Sequence, residues 1–126
     1  MTEAANRQAV ERLFQALIDQ DLKGFHRRFQ EDSVIEFPQS GERIVGGERR
    51  RAVYRSFPGR PSVCRILTGG DLAVVEADVD YGDGVDWRAV FIFELHDAKI
   101  AKLTAYWTQP FAPAESRAAS VEPLDR

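Results

Sequence analysis

The sequence is poor in the residues that staple, anchor or metallate a small protein. Cys64 is its single cysteine, so no intramolecular disulfide can form and no cysteine-built metal site is expected. The two histidines, His26 and His96, lie far apart with no i, i+4 partner, so a histidine metal site is not expected either. Neither metal nor cofactor is anticipated. No apolar run approaches the ~20 residues of a spanning helix. The first dozen residues are polar and charged, without the apolar stretch of a signal peptide. A cytoplasmic protein with no membrane partner is the expectation. Glycine pairs occur only as Gly46-Gly47 and Gly69-Gly70, which read as turns rather than a phosphate loop. No Ser-His-Asp arrangement is present to support nucleophilic catalysis. The formal net charge of −3 argues against nucleic acid as a partner. The arginines Arg27, Arg28, Arg49, Arg50, Arg51 and Arg55 therefore read as solvated helix faces.

What is present suits one globular domain. At 126 residues, 44% hydrophobic and 29% charged, the chain can build one core without covalent help. Val10, Leu13, Phe14, Leu17 and Ile18 follow helical spacing and predict an amphipathic helix over residues 3–19. Asp21 predicts the N-cap of a second, shorter helix whose stripe is Leu22, Phe25, His26 and Phe29. A strand over 33–37 ends at Pro38, and a short return strand follows at 43–45. A third helix is expected over 48–57, with Arg50, Val53, Tyr54 and Phe57 facing inward. Four strands then alternate with tight turns at 69–71, 82–84 and 96–99, which predicts an antiparallel meander. Helices first and a meander second is the α+β pattern. Residues 1–111 form the expected domain, and 112–126 a tail that wraps the surface or stays disordered.

Alternation splits each strand into two faces. The turns predict that Ala77 pairs with Ala89, Val75 with Phe91, Phe91 with Ala105, and Phe93 with Leu103. One face is then almost wholly apolar, running through Val75, Ala77, Val79, Tyr81, Trp87, Ala89, Phe91, Phe93, Leu103, Ala105 and Trp107. It is assigned to the concave side, beneath the helices, enclosing an apolar pocket. The other face carries Glu76, Asp78 and Asp80, with Asp78 opposite Arg88. The acidic row reads as a strand edge balanced by Arg88 and Lys102. Val90, Ile92 and Tyr106 form an apolar centre on that face, which suits a homodimer interface. Cys64 is expected to be a small core residue.

The stretches Ala9-Val10-Glu11-Arg12-Leu13-Phe14, Asp21-Leu22-Lys23-Gly24-Phe25, Phe29-Gln30-Glu31-Asp32-Ser33-Val34 and Glu36-Phe37-Pro38 resemble the opening of nuclear transport factor 2-like, SnoaL-like proteins. Gly46-Gly47-Glu48, the run from Phe91 to Ile100, and Tyr106-Trp107-Thr108-Gln109-Pro110-Phe111 continue the resemblance, which spans about residues 5–117. It implies a cone-shaped curved sheet closed by three helices, a homodimer packed through the sheet, and isomerase-, cyclase- or hydrolase-type relatives beside binding domains. The polar positions such relatives use are apolar here. The general-base slot of the isomerases maps to Phe37, and their oxyanion tyrosine to a position near Leu13. The epoxide hydrolase slots map to Ile35, Phe37, Ala77 and Val79, and the last-strand acid to Ala105.

The remaining polar candidates are few. His26 on the lid is a candidate base or ligand contact, or an edge-of-core residue. Tyr54 with Arg50 either caps the core while the arginine snorkels to solvent, or recognises an anionic or carbonyl group at a pocket mouth. Tyr81 and Trp87 offer an O–H and an N–H. The expected catalytic pair, if the protein turns over a substrate, is His26 as base with Tyr54 or Tyr81 as donor. The expected ligand-binding residues are Phe14, Phe25, Phe29, Phe37, Tyr54, Tyr81, Trp87, Phe91, Ala105 and Trp107. Two functions follow: a binder of a small apolar molecule with or without isomerase, cyclase or hydrolase activity, or a dimeric accessory domain with a packed core and no turnover.

Overall fold

The computed structural model describes residues 2–55 and 59–124. Helix α1 spans Glu3–Ile18, capped by the Thr2 hydroxyl, which accepts from the Ala5 amide at 3.0 Å. Helix α2 spans Leu22–Arg27, and the Asp21 carboxylate accepts from the Gly24 amide at 2.9 Å, as its sequence position predicts. Strands β1 (Phe29–Phe37) and β2 (Glu42–Val45) form a hairpin, followed by helix α3 (Gly47–Val53). Strands β3 (Arg60–Gly69), β4 (Leu72–Asp80), β5 (Trp87–His96) and β6 (Lys99–Thr108) complete a curved, unclosed α+β sheet of order β2-β1-β6-β5-β4-β3. A 3-10 helix at Glu115–Ser120 follows and buries none of its residues.

The hairpin registers agree with those read from the turns. Val75 pairs with Phe91, Ala77 with Ala89, Phe91 with Ala105 and Phe93 with Leu103. Between β3 and β6 the sheet is antiparallel, as expected. Among the described residues the one parallel pairing is β1 with β6, where Ile35 lies beside Leu103. Helix α1 lies on β3 and β4, and its stripe meets the concave face. Phe14 stacks edge-on against Phe91 at 5.6 Å and Phe93 at 6.0 Å, the geometry the ring quadrupoles favour. Asn6, also buried, ties α1 to the β3–β4 turn through Nδ2, which donates to the Gly70 carbonyl at 3.0 Å and to Asp71 Oδ1 at 3.3 Å.

Four expectations are corrected. Phe29 belongs to β1, not to the second helix, because that helix ends at Arg27 and Phe29 pairs with Ile100. Helix α3 ends at Val53, which is 57% exposed rather than inward-facing, and Phe57 lies outside the described residues. Cys64 is exposed, because β3 bulges between Val63 and Arg65 and the extra residue leaves the alternation. Arg50 neither snorkels nor stands at a pocket mouth: it is 1% exposed.

Candidate functional site

Curvature and lid leave an unfilled space between them. A cavity of about 190 Å³ lies between the concave face and helices α1 and α2. Its floor is Val79, Phe91, Phe93, Leu103, Ala105 and Trp107, and its roof is Leu13, Phe14, Leu17 and Phe25. Phe37, Tyr54 and Tyr81 close the ends, with Gly59 and Pro61 beside them. Gly59 has φ +118°, and a Cβ there would stand 2.7 Å from the Tyr81 ring, so glycine is what lets that ring sit where it does.

The positions that carry polar groups in similar enzymes were mapped to Leu13, Phe37, Val79 and Ala105, and all four line this cavity. Ile35 and Ala77 are buried in the core beside it and do not line it. Four of the six mapped positions therefore lie on the cavity wall, and each of those four is apolar. No carboxylate, histidine, lysine or arginine is among the described lining residues.

The polar atoms that remain are phenols and an indole. Trp107 Nε1 donates to the Tyr81 hydroxyl at 2.8 Å, which leaves the Tyr81 proton unspent among the described residues. The Tyr54 hydroxyl has no partner among the described residues. Burial, and secondarily the nearby Tyr81, pushes the Tyr54 pKa up to about 12. Burial also raises Tyr81, against the opposing hydrogen bond from Trp107. Both phenols are therefore donors at neutral pH and neither is a base.

His26 is placed elsewhere. It lines a separate, shallow depression with Leu22, Lys23, Arg27, Arg51, Tyr54 and Arg55. Its Nδ1 accepts from Arg50 Nε at 3.1 Å, so the proton of the neutral ring is on Nε2, which faces the Tyr54 carbonyl at 3.4 Å. Burial lowers its pKa, and Arg50 and Arg51 lower it further, against the Tyr54 carbonyl, which raises it. Arg50 also donates to Ser33 Oγ at 2.7 Å and to the carbonyls of Gln30 and His26 at 3.4 Å, and its guanidinium lies 4.5 Å over the Phe29 ring. Of the ten residues expected to bind ligand, Phe29 is packed into this cluster and Trp87 stands on an open depression next to the cavity; the other eight line the cavity. Among the described residues no three His, Cys, Asp or Glu side chains come close enough to hold a metal ion.

Asn6 and Ser33 are buried polar residues that the sequence does not single out; Arg50 is expected on the inward stripe, but not as a fully buried hub.

Comparison with known proteins agrees with this architecture. The model of the SnoaL-like domain matches residues 10–103. An NTF-2 like protein of unknown function from Burkholderia xenovorans LB400 is 30% identical, with a TM-score of 0.86 over 98% of both chains. A candidate ketosteroid isomerase from Kribbella flavida is 25% identical, with a TM-score of 0.88 over 98% of this chain and 93% of its own. An epoxide hydrolase from M. tuberculosis, of the LEH-like type, is 25% identical over 84% of each chain, with a TM-score of 0.71. Among curated proteins none matches significantly. The fold, the apolar cavity beneath the helices and the family match converge: the chain belongs to the SnoaL-like domain family.

Proposed function

We propose that this protein binds a small, largely apolar molecule in the cavity beneath its lid, and that Tyr54 and Tyr81 orient the molecule by donating to an acceptor atom on it. The observation that supports this is a space under the lid, open at one end, whose wall is apolar except for two phenols with unspent protons and the Trp107 indole. The same wall favours binding over proton-transfer chemistry. The relatives named above include isomerase and hydrolase types, yet Phe37, Val79 and Ala105 provide no base here. His26 is assigned a structural part, because Arg50 already occupies its lone pair.

Trp107 lines the cavity, so tryptophan fluorescence reports on occupancy. Titration with naphthalene and 1-naphthol is expected to saturate in the wild type. In Ala105→Phe, which fills the floor, affinity should fall at least about tenfold, equivalent to ~1.4 kcal/mol. Saturation unchanged by Ala105→Phe, or no saturation by either probe in the wild type, would overturn the reading in favour of a packed accessory domain.

We also propose a homodimer through the convex face. Val90 and Tyr106 are 37% and 40% exposed and pair across β5 and β6, with Ile92 beside them. Charged pairs rim this apolar centre: Arg88 with Asp78 at 3.3 Å, and Lys102 with Glu36 at 3.0 Å. Sedimentation at micromolar concentration should give twice the chain mass, and Tyr106→Glu should halve it. A wild-type monomer would refute the interface.

A further inference from the structure

At the open end of the cavity the wall changes character. Tyr81 and Trp107 continue outward into an open depression of about 520 Å³, joined there by Trp87, Asp83, Gln39 and Ser40. Tyr81 and Trp87 meet edge-to-face at 6.1 Å. Both indole N–H groups are already spent: Trp87 Nε1 donates to Asp83 Oδ2 at 3.0 Å, and Trp107 Nε1 to Tyr81. The Gln39 amide pairs with the backbone of Trp107 through both its oxygen and its nitrogen, which fixes the β1–β2 turn against the end of β6. The rings are therefore held in place without a ligand, Trp107 also packing against Phe37 at 5.1 Å; with both indole donors spent, the tryptophans offer a ligand only their ring faces.

Charge at the depression has one sign. Asp83 is the only charged residue among its described lining, and no lysine or arginine joins it. The hydrogen bonds from the Trp87 indole and the Val85 amide hold the Asp83 carboxyl below the usual carboxylate range, so it is ionised at neutral pH. Asp80, the last residue of β4, and Asp86 flank the same turn; Arg88 is taken up by Asp78 and Asp86, and Arg60, opposite Asp80 on β3, lines a neighbouring depression with Tyr81 and Gly82 rather than this one. Aromatic faces beside a carboxylate attract an organic cation, and an ammonium that is poorly hydrated benefits most.

We infer that the depression formed by Tyr81, Trp87, Trp107 and Asp83 is a subsite for a substituted-ammonium head, and that the ligand is an amphiphile whose apolar body occupies the adjoining cavity. The inference rests on the cavity reading and adds the charge and chemistry of the part that protrudes from it.

Both tryptophans of the chain line this depression, so their fluorescence is a direct readout. Three probes of matched size separate the possibilities: benzyltrimethylammonium, its neutral isostere neopentylbenzene, and benzylsulfonate. The cation is expected to bind about tenfold more tightly than the neutral isostere, and the anion more weakly than either. Asp83→Asn keeps an acceptor for the Trp87 indole while removing the charge, and Trp87→Leu removes one ring. Each should reduce the advantage of the cation to about threefold or less. Both positions are at the surface end of the hairpin, and circular dichroism would confirm that the variants are folded. Equal binding of cation and isostere would overturn the subsite while leaving the cavity reading intact. So would tighter binding of the sulfonate, or an advantage untouched by both substitutions. Failure of all three probes in a protein that saturates with naphthalene would overturn the subsite alone, and failure with naphthalene as well would overturn the cavity reading with it.

Discussion

Arg50 and Tyr54 are separated by one helical turn, and the backbone amide of Tyr54 donates to the carbonyl of Arg50 at 2.9 Å. Their side chains nevertheless end in opposite situations. The guanidinium of Arg50 is buried with donors committed to His26, Ser33 and Gln30, and an aromatic face lies beneath it. Tyr54 lines the apolar cavity, and its hydroxyl makes no hydrogen bond among the described residues. A buried polar group whose bonds are all made holds structure together, since removing it strands its partners. A donor on a cavity wall with no protein partner among the described residues is available to whatever the cavity holds. The difference distinguishes a residue that builds the lid from one placed to meet a ligand.

Substitution breaks the comparison most directly. Arg50→Met removes the hub and leaves His26 Nδ1, the Ser33 hydroxyl and two carbonyls without that donor. The expected loss is about 3 kcal/mol, since each stranded buried group costs ~1–3 kcal/mol. Tyr54→Phe removes a hydroxyl that has no partner, so its stability should stay within about 0.5 kcal/mol of wild type. Urea unfolding of the two variants measures the gap. Equal losses would show that the Tyr54 hydroxyl is structural, and a harmless Arg50→Met would show that the cluster is not the lid's fastening.

The contrast also explains what could be read in advance. The hairpins were legible because their turns set register locally: Gly82-Asp83-Gly84 brings Ala77 to Ala89, and alternation then places every side chain of β4 and β5. The part of the cavity wall on β4, β5 and β6 followed from the same parity, Val79, Phe91 and Ala105 included. The parallel seam between β1 and β6 was not legible, because no turn joins those strands and the pairing depends on the whole sheet having curved. Phe29 was misread for that reason, since a phenylalanine one turn beyond Phe25 satisfies helical spacing equally well. Cys64 was misread because one bulged residue in β3 undoes a parity argument. Arg50 was misread because an arginine on a helix stripe is ordinarily at the surface. Its burial becomes intelligible only once Ser33, His26 and Phe29 are seen to converge on it from two other elements.

The smallest expected effect concerns the proton that the cluster excludes. Neutral His26 accepts from Arg50 at Nδ1, so protonation there would set an imidazolium N–H against a guanidinium N–H. Burial first, then Arg50 and Arg51, holds the folded pKa below the ordinary value of 6.5, although the Tyr54 carbonyl opposes the shift. Lys23, Arg27 and Arg55 stand around the same depression, and Glu31, the carboxylate near it, is engaged by Arg51 at 2.7 Å. With the folded value depressed, the unfolded chain binds the proton more readily. The His26 contribution is therefore fully present above about pH 6.5. It falls as the pH drops toward the folded value and levels off once both states are protonated. His26→Gln retains an acceptor for Arg50 and a donor for the Tyr54 carbonyl but cannot titrate. Between pH 7 and pH 5, urea midpoints of wild type should fall more steeply than those of His26→Gln. Parallel slopes would mean that the histidine takes up its proton without disturbing Arg50, and that the cluster is looser than its geometry implies.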